Sequence, residues 1–226
     1  MVVLGMDPSL TNFGWVIYDT DKEPEHCVKR GRFQTKSKDL FVLRYMQMRD
    51  SVEALIRDNN IVRVGIEHPI FNDLWSEGMY GLFLYTCEAL WNSGVSVVFF
   101  SPGQIKAHAR QQQVPKTLPD NTVVLKPIRA GNWKMEKQDM VEAAFFSEGQ
   151  NGKRMNHNEA DAYWIAKTSS RFWMLHDGLL TIKDLNDVER KQFVGVQVYQ
   201  RGKNKGKIEA KGILHREDEK FFCWKD

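Results

Sequence analysis

The order of segments constrains this chain most. Its first 33 residues read as successive strands, and from residue 40 to about residue 111 helix and strand alternate. MVVLGM is a short apolar run stopped by Asp7-Pro8. After the turn SLTNFG a second run, WVIYD, completes a hairpin. A third strand fits CVKRGRF, residues 27 to 33. Residues 40 to 60 place Leu40, Leu43, Met46, Met48, Val52, Leu55 and Ile56 at helical spacing, and Asn59-Asn60 ends that helix. IVRVGIEHP then reads as a buried strand with Glu67 at its end. GLFLYTCEALWNSG (81 to 94) reads as a helix, VSVVFFSP (95 to 102) as a buried strand and GQIKAHARQ as a short helix. Residues 113 to 133, punctuated by Pro and Gly, form a loop insertion with room for a small hairpin. KQDMVEAAFF and NEADAYWIAKTSSRFW (158 to 173) supply two further helices. Hairpin strands followed by alternating helix and strand predict an α/β fold, a mixed sheet with helices on its faces.

The last fifty or so residues change character. TIKDLNDVERKQF reads as a short polar helix, and VGVQVYQRGKNKGKIEAKGIL as two strands around a basic turn. The expected division is a main domain over residues 1–175 and a small basic C-terminal extension over 176–226. No run of about 18 apolar residues predicts a membrane span, and the early acid at position 7 is unlike a signal peptide. Cys27, Cys87 and Cys223 form no CxxC pair, so the expected compartment is reducing and a structural zinc is not expected. Thirty-two Lys and Arg against 29 Asp and Glu give a formal charge of +3, too small to name a partner by itself.

The chemistry lies in where the acids stand. Asp7 closes the first strand, Glu67 closes a central one, and Asp161 lies in the first turn of the last large helix. Acids inside apolar runs are costly unless paired or metal-bound. Carboxylates converging from separate elements make a hard-oxygen site suited to Mg²⁺, with Mn²⁺ as a substitute. With two such ions, a site of this kind positions a water and stabilises the leaving oxygen of a phosphodiester. Each acid also has a plainer reading: Asp7 as a turn residue, Asp161 as a charge favoured by the helix dipole. Glu67 is harder to explain away, because Val64, Gly65 and Ile66 precede it and a turn proline follows.

GMDPSLTNFGWVI, GIEHPIF, SPGQIKAHA, KMEKQDMV and NEADAYWIA resemble, in order, the landmarks of the RuvC-type Holliday junction resolvases of the ribonuclease H-like superfamily. The resemblance covers about residues 1 to 173. The middle insertion and the C-terminal segment resemble phage members more than compact bacterial ones. It implies a ribonuclease H-like mixed five-stranded sheet flanked by helices. It also implies a Mg²⁺-dependent endonuclease, acting in the cytoplasm of a bacterial or phage-infected cell as a homodimer on four-way or other branched DNA junctions. On that resemblance Asp7, Glu67 and Asp161 are metal ligands and catalytic residues. A fourth ligand, Asp or His in the family, falls at Asn158, one helical turn before Asp161. An amide brings no charge and is a weaker ligand. His157 or Glu159 would substitute if the helix began differently, and an inactivating change at 158 is a further reading.

Lys106 and Lys137 match family lysines that lie near the scissile phosphate, with Lys134 the near alternative to Lys137. In the loop after Glu67 the resemblance implies a base-stacking aromatic; Phe71 is the candidate, with Ile70 beside it and Leu74 and Trp75 nearby. Between Val194 and Gly212, Arg201, Lys203, Lys205, Lys207 and Lys211 stand against one acid, Glu209; such a stripe would track phosphates or be a solvated hairpin tip. Two rivals remain. An actin-like ATPase or sugar kinase shares the strand-Asp-turn-Gly opening, but its second glycine-rich phosphate loop is missing from this sequence and 226 residues are too few for two lobes. A non-catalytic branched-DNA binding protein would carry Asn158 as the mark of a decayed site.

Overall fold

The computed structural model describes residues 1–22, 26–68, 77–129, 134–150 and 153–194, and beyond them the backbone strands 196–198, 208–210, 214–217 and 220–223. It divides into two compact units, Met1–Ser170 and Arg171–Asp226. In the first, β1 (Val2–Asp7), β2 (Asn12–Asp19), β3 (Cys27–Gln34), β4 (Arg63–Glu67) and β5 (Ser96–Phe100) form one sheet in the order β3-β2-β1-β4-β5. β1, β2 and β3 pair antiparallel as consecutive hairpin strands, whereas β4 and β5 join parallel to β1. The parallel strands are reached through α1 (Phe41–Asp58) and α2 (Glu77–Asn92). This is the mixed sheet with helices on its faces that the segment order predicts, with the five strands that the family resemblance implies.

One face of the sheet is apolar because alternate residues point the same way along a strand. Leu4 and Met6 of β1 and Val64 and Ile66 of β4 pack with Met48, Val52 and Ile56 of α1 and Leu82 and Ala89 of α2. The buried face of α1 differs from the expected one. Tyr45, Met48, Val52 and Ile56 are inside together with Arg44, whereas Leu40, Leu43 and Met46 are 70%, 54% and 40% exposed. The stripe 45, 48, 52, 56 keeps the 3.6-residue period, and positions 40, 43 and 46 fall off it.

The opposite face belongs to α5 (His157–His176). Gly5 and Gly65 are paired across β1 and β4, and both stand on this face. A Cβ at Gly5 would collide with the Ala162 carbonyl and with Ala166, and one at Gly65 with the Ser169 hydroxyl. The two glycines let the helix backbone lie directly on the sheet.

After β5 come α3 (Pro102–Arg110), a two-stranded ribbon of β6 (Gln113–Thr117) and β7 (Val123–Pro127), and α4 (Lys137–Ser147). The insertion therefore holds a real hairpin. In the second unit a 3₁₀ turn at Ile182–Asp184 leads to α6 (Asp187–Phe193), where Arg171 pairs with Glu189 at 2.8 Å. The strands β8 (Val196–Val198) and β9 (Ile208–Ala210) pair antiparallel, as do β10 (Leu214–Glu217) and β11 (Lys220–Cys223). Among the described residues no helix is long and apolar enough to cross a membrane.

Candidate active site

Strand register brings the first two acids together. Met6 stands beside Ile66 in the parallel β1–β4 pair, so the next residues, Asp7 and Glu67, are neighbours where the two strands end. Met6 and Ile66 face the apolar core, so the pleat turns Asp7 and Glu67 toward α5. Parallel strands lie about 4.8 Å apart, which is close for two carboxylates.

The third acid comes from α5, whose start is fixed by a capping box. The Asn156 side chain accepts from the Glu159 amide, and the Glu159 carboxylate accepts from the Asn156 amide, both at 3.1 Å. With that start, Asp161 faces the strand ends. Glu159 is committed to the cap and lies 3.9 Å from Arg30, so it is not a spare carboxylate for the site. His157 is exposed and close enough for its charge to be felt by Asp161.

The electrostatics show three acids sharing one space. Burial holds the Asp7 carboxyl far above the usual carboxylate range; the charges of Asp161 and Glu67 push it further, against the pull of Lys137 and Lys106. Glu67 is pushed up to about 7, first by burial and then by Asp161, with Lys106 opposing. Asp161 is pushed up to about 6 by burial, against Lys106, Lys137 and His157. Lys106 and Lys137 are therefore within the field of the carboxylates. Lys106 lies on α3, whose Ser101–Gln104 capping box fixes the helix start. Lys137 opens α4, and Lys134 is exposed just ahead of it.

The donor types fit a hard divalent cation: carboxyl oxygens from β1, β4 and α5, faced by two lysines. As placed, no three Asp, Glu, His or Cys side chains among the described residues are gathered closely enough to hold a metal ion, so the three carboxylates would have to draw together around one.

Asn158 has a structural partner. Its side-chain amide donates to the Asn12 carbonyl at the start of β2, and a Cβ at Gly14 would run into the Asn158 carbonyl. The residue ties the first turn of α5 to the strand that pairs with β1, a bond a carboxylate in the same place has no proton to make.

One residue escaped the sequence reading. Arg44 is buried in α1 and donates to the Thr35 hydroxyl at 2.8 Å, the Leu10 carbonyl at 2.9 Å and the Thr11 hydroxyl at 3.2 Å. It pins the turn that follows Asp7. The signal was present: position 44 lies one turn before Met48, on the apolar stripe, where a charged residue demands partners. Phe71 with Ile70, Leu74 and Trp75, and Arg201, Lys203, Lys205 and Lys207, lie outside the described residues.

No family model matches the chain. The crossover junction endodeoxyribonucleases RuvC of Orientia tsutsugamushi strains Boryong and Ikeda are each 30% identical to it over 79 residues, 35% of this chain. That match spans half the length of either relative. Among solved structures, Thermus thermophilus RuvC is similar in fold. Its complex with a Holliday junction substrate superposes with a TM-score of 0.57 at 18% identity, over 77% of this chain and 96% of that one. A second structure of the same protein gives 0.58 at 17% identity over the same shares. The resemblance to RuvC-type resolvases thus holds in sequence over part of the chain and in fold over three-quarters of it.

Proposed function

We propose that this chain is a metal-dependent, structure-selective endonuclease that cuts four-way or other branched DNA junctions by hydrolysing phosphodiester bonds. The observation that carries the reading is the nearness of Asp7, Glu67 and Asp161 at one end of the sheet: burial raises all three carboxyls, and Asp161 pushes up both Asp7 and Glu67. Such a cluster is unfavourable empty and becomes favourable around a cation. The RuvC relatives and the RuvC–junction complex, whose fold this chain shares, support DNA junctions as the substrate class.

In this reading Asp7, Glu67 and Asp161 would hold Mg²⁺ or Mn²⁺, which when bound supplies Lewis-acid activation of the phosphodiester. The protein's own part is electrostatic and geometric. Lys106 and Lys137 oppose the carboxylate charges and provide cations for the phosphate, so the repulsion that the DNA backbone meets at the site is reduced. Arg44 fixes the turn after Asp7, and Asn158 fixes α5 against β2, so the carboxylates are held before substrate arrives. Base stacking by Phe71, which rests on the resemblance, and phosphate tracking by Arg201, Lys203, Lys205 and Lys207, which rests on the basic stripe in the sequence, belong to the same reading. Action in the cytoplasm of a bacterial or phage-infected cell belongs to it too, on the resemblance.

Assembly as a homodimer, with two sites on symmetric strands of a junction, has support in exposed apolar side chains. Phe41, Leu43 and Met46 on α1 and Tyr80 and Leu84 on α2 lie on two helices packed together. The Asn158 amide donates to the Asn12 carbonyl, which gives position 158 a structural role under either reading, so cleavage itself must separate the nuclease from a binding protein with a decayed site. The test compares a labelled four-way junction with a linear duplex of the same sequence in Mg²⁺. Nicking of the junction alone, abolished in Glu67→Gln, is the expected result. Junction binding with no cleavage in Mg²⁺ or Mn²⁺ would favour the binding protein.

A further inference from the structure

The β6–β7 ribbon lies between the two lysines of the site, seven residues after Lys106 and ten before Lys137. It is held at its root and, among the described residues, mostly exposed beyond it. Val114 and Ile128 are buried, the Ile128 amide donates to the Gln112 carbonyl at 3.0 Å, and Arg129 pairs with Asp139 of α4 at 2.8 Å. Gln113, Pro115 to Thr117, Val123 and Leu125 to Pro127 are all exposed. The tip is a set turn: the Leu118 amide donates to Thr122 at 2.8 Å, and Asn121 takes a φ of 64°. Five residues per strand at about 3.3 Å each reach about 16 Å from the root, comparable with the width of a DNA groove.

The segment that carries the ribbon is basic. Gly103 to Gln138 contain seven Lys and Arg against two acids, Asp120 and Glu136, although the whole chain nets only +3. The register pairs Val114 with Lys126 and Lys116 with Val124, so both ribbon lysines share one face. Lys116 is stretched along the ribbon, its Nζ donating to the Ile128 carbonyl at 3.1 Å, and Lys126 is exposed. A protein partner adding a strand is disfavoured. The ribbon is a two-stranded sheet by itself, and Pro115 and Pro127 each remove a backbone donor from its edges.

We propose that the β6–β7 ribbon is a preformed DNA arm, its Lys116 and Lys126 holding the phosphate backbone of a duplex flanking the cleavage site. The proposal rests on the junction-nuclease reading above. Because the ribbon is ordered by its own hydrogen bonds, binding does not carry the cost of folding it. Its contacts are with phosphates, so they strengthen binding to any sequence without selecting one.

The test is junction binding by the full chain in Ca²⁺ across a salt series. Lys126→Glu and the double variant Lys116→Glu/Lys126→Glu are compared with Val123→Ser/Leu125→Ser on the other face of the ribbon, with folding of each checked by circular dichroism. The double variant is expected to raise Kd about tenfold at 0.1 M salt and to flatten the plot of log K against log salt by about two. Lys126→Glu, which breaks no hydrogen bond among the described residues, should give about half that flattening, and the apolar-face variant should bind like the unaltered protein. Unchanged affinity and slope in the lysine variants of a protein that itself binds junctions would overturn the ribbon's role alone. Loss of binding confined to the apolar-face variant would also overturn it, pointing to an apolar partner surface. No junction binding by the unaltered protein would overturn the nuclease reading and the arm together.

Discussion

Asn158 shows how much one side chain can carry. By resemblance it stands where a charged or imidazole ligand is expected, and by geometry it donates to the Asn12 carbonyl. Replacing the amide by a carboxylate sets two acceptors against each other beside an already crowded acid cluster. Asn158→Asp should therefore lower stability in EDTA by about 1–3 kcal/mol, measured by denaturant unfolding. A variant as stable as its parent that binds Mn²⁺ more tightly would show instead that position 158 is a ligand site. Glu67 gives the matching pH prediction. Its carboxyl lies at about 7 in the fold against an ordinary 4.5, so the folded state holds its proton more tightly than the unfolded state. Without a divalent cation, the native state is relatively most stable below pH 4.5 and loses up to about 3 kcal/mol as pH rises through 7. Glu67→Gln removes that loss, so in EDTA it should exceed the parent in stability by about 1–3 kcal/mol at pH 8 and gain little at pH 5. Equal pH dependence in both proteins would mean that Glu67 is not the strained acid.

At the scale of elements, the sheet was legible because its signals are local. Apolar runs ended by Asp7-Pro8 or Glu67-His68-Pro69 mark strand ends, and the hairpin order of β1 to β3 followed by alternation fixes a mixed sheet. The convergence of Asp7, Glu67 and Asp161 was readable for the same reason, since each closes or opens an element. What was not legible depends on helix rotation and on contacts between distant segments. The buried side of α1 is set by Tyr45, Met48 and Val52, and the apolar residues at 40, 43 and 46 lie off it. Arg44 finds its partners across the β1–β2 turn, and the Asn158 amide finds Asn12, separations no pattern in the sequence announces. The glycine pair under α5 belongs with these. Gly5→Ala places a methyl against the Ala162 backbone, which cannot swing away as a side chain could. It should cost about 1–3 kcal/mol in denaturant unfolding. A cost near zero would mean that α5 is not pressed onto β1.

For the whole molecule, the small net charge of +3 hides a division of labour. Three carboxylates gather at the strand ends, while cations cluster on α3, the ribbon and the start of α4. A nuclease of this kind needs both, acids for the cation and bases for the phosphates, and in the sum they nearly cancel. The central claim is that Asp7, Glu67 and Asp161 act together on a phosphodiester. It is tested most directly by single-turnover cleavage of a 5′-labelled four-way junction in Mg²⁺ by Asp7→Asn and Asp161→Asn, with junction binding measured on the same preparations. Each variant should bind the junction yet cleave it at least about a thousandfold more slowly than the unaltered protein, and EDTA should stop the unaltered protein as well. Cleavage that survives either substitution, or proceeds in EDTA, would contradict the account.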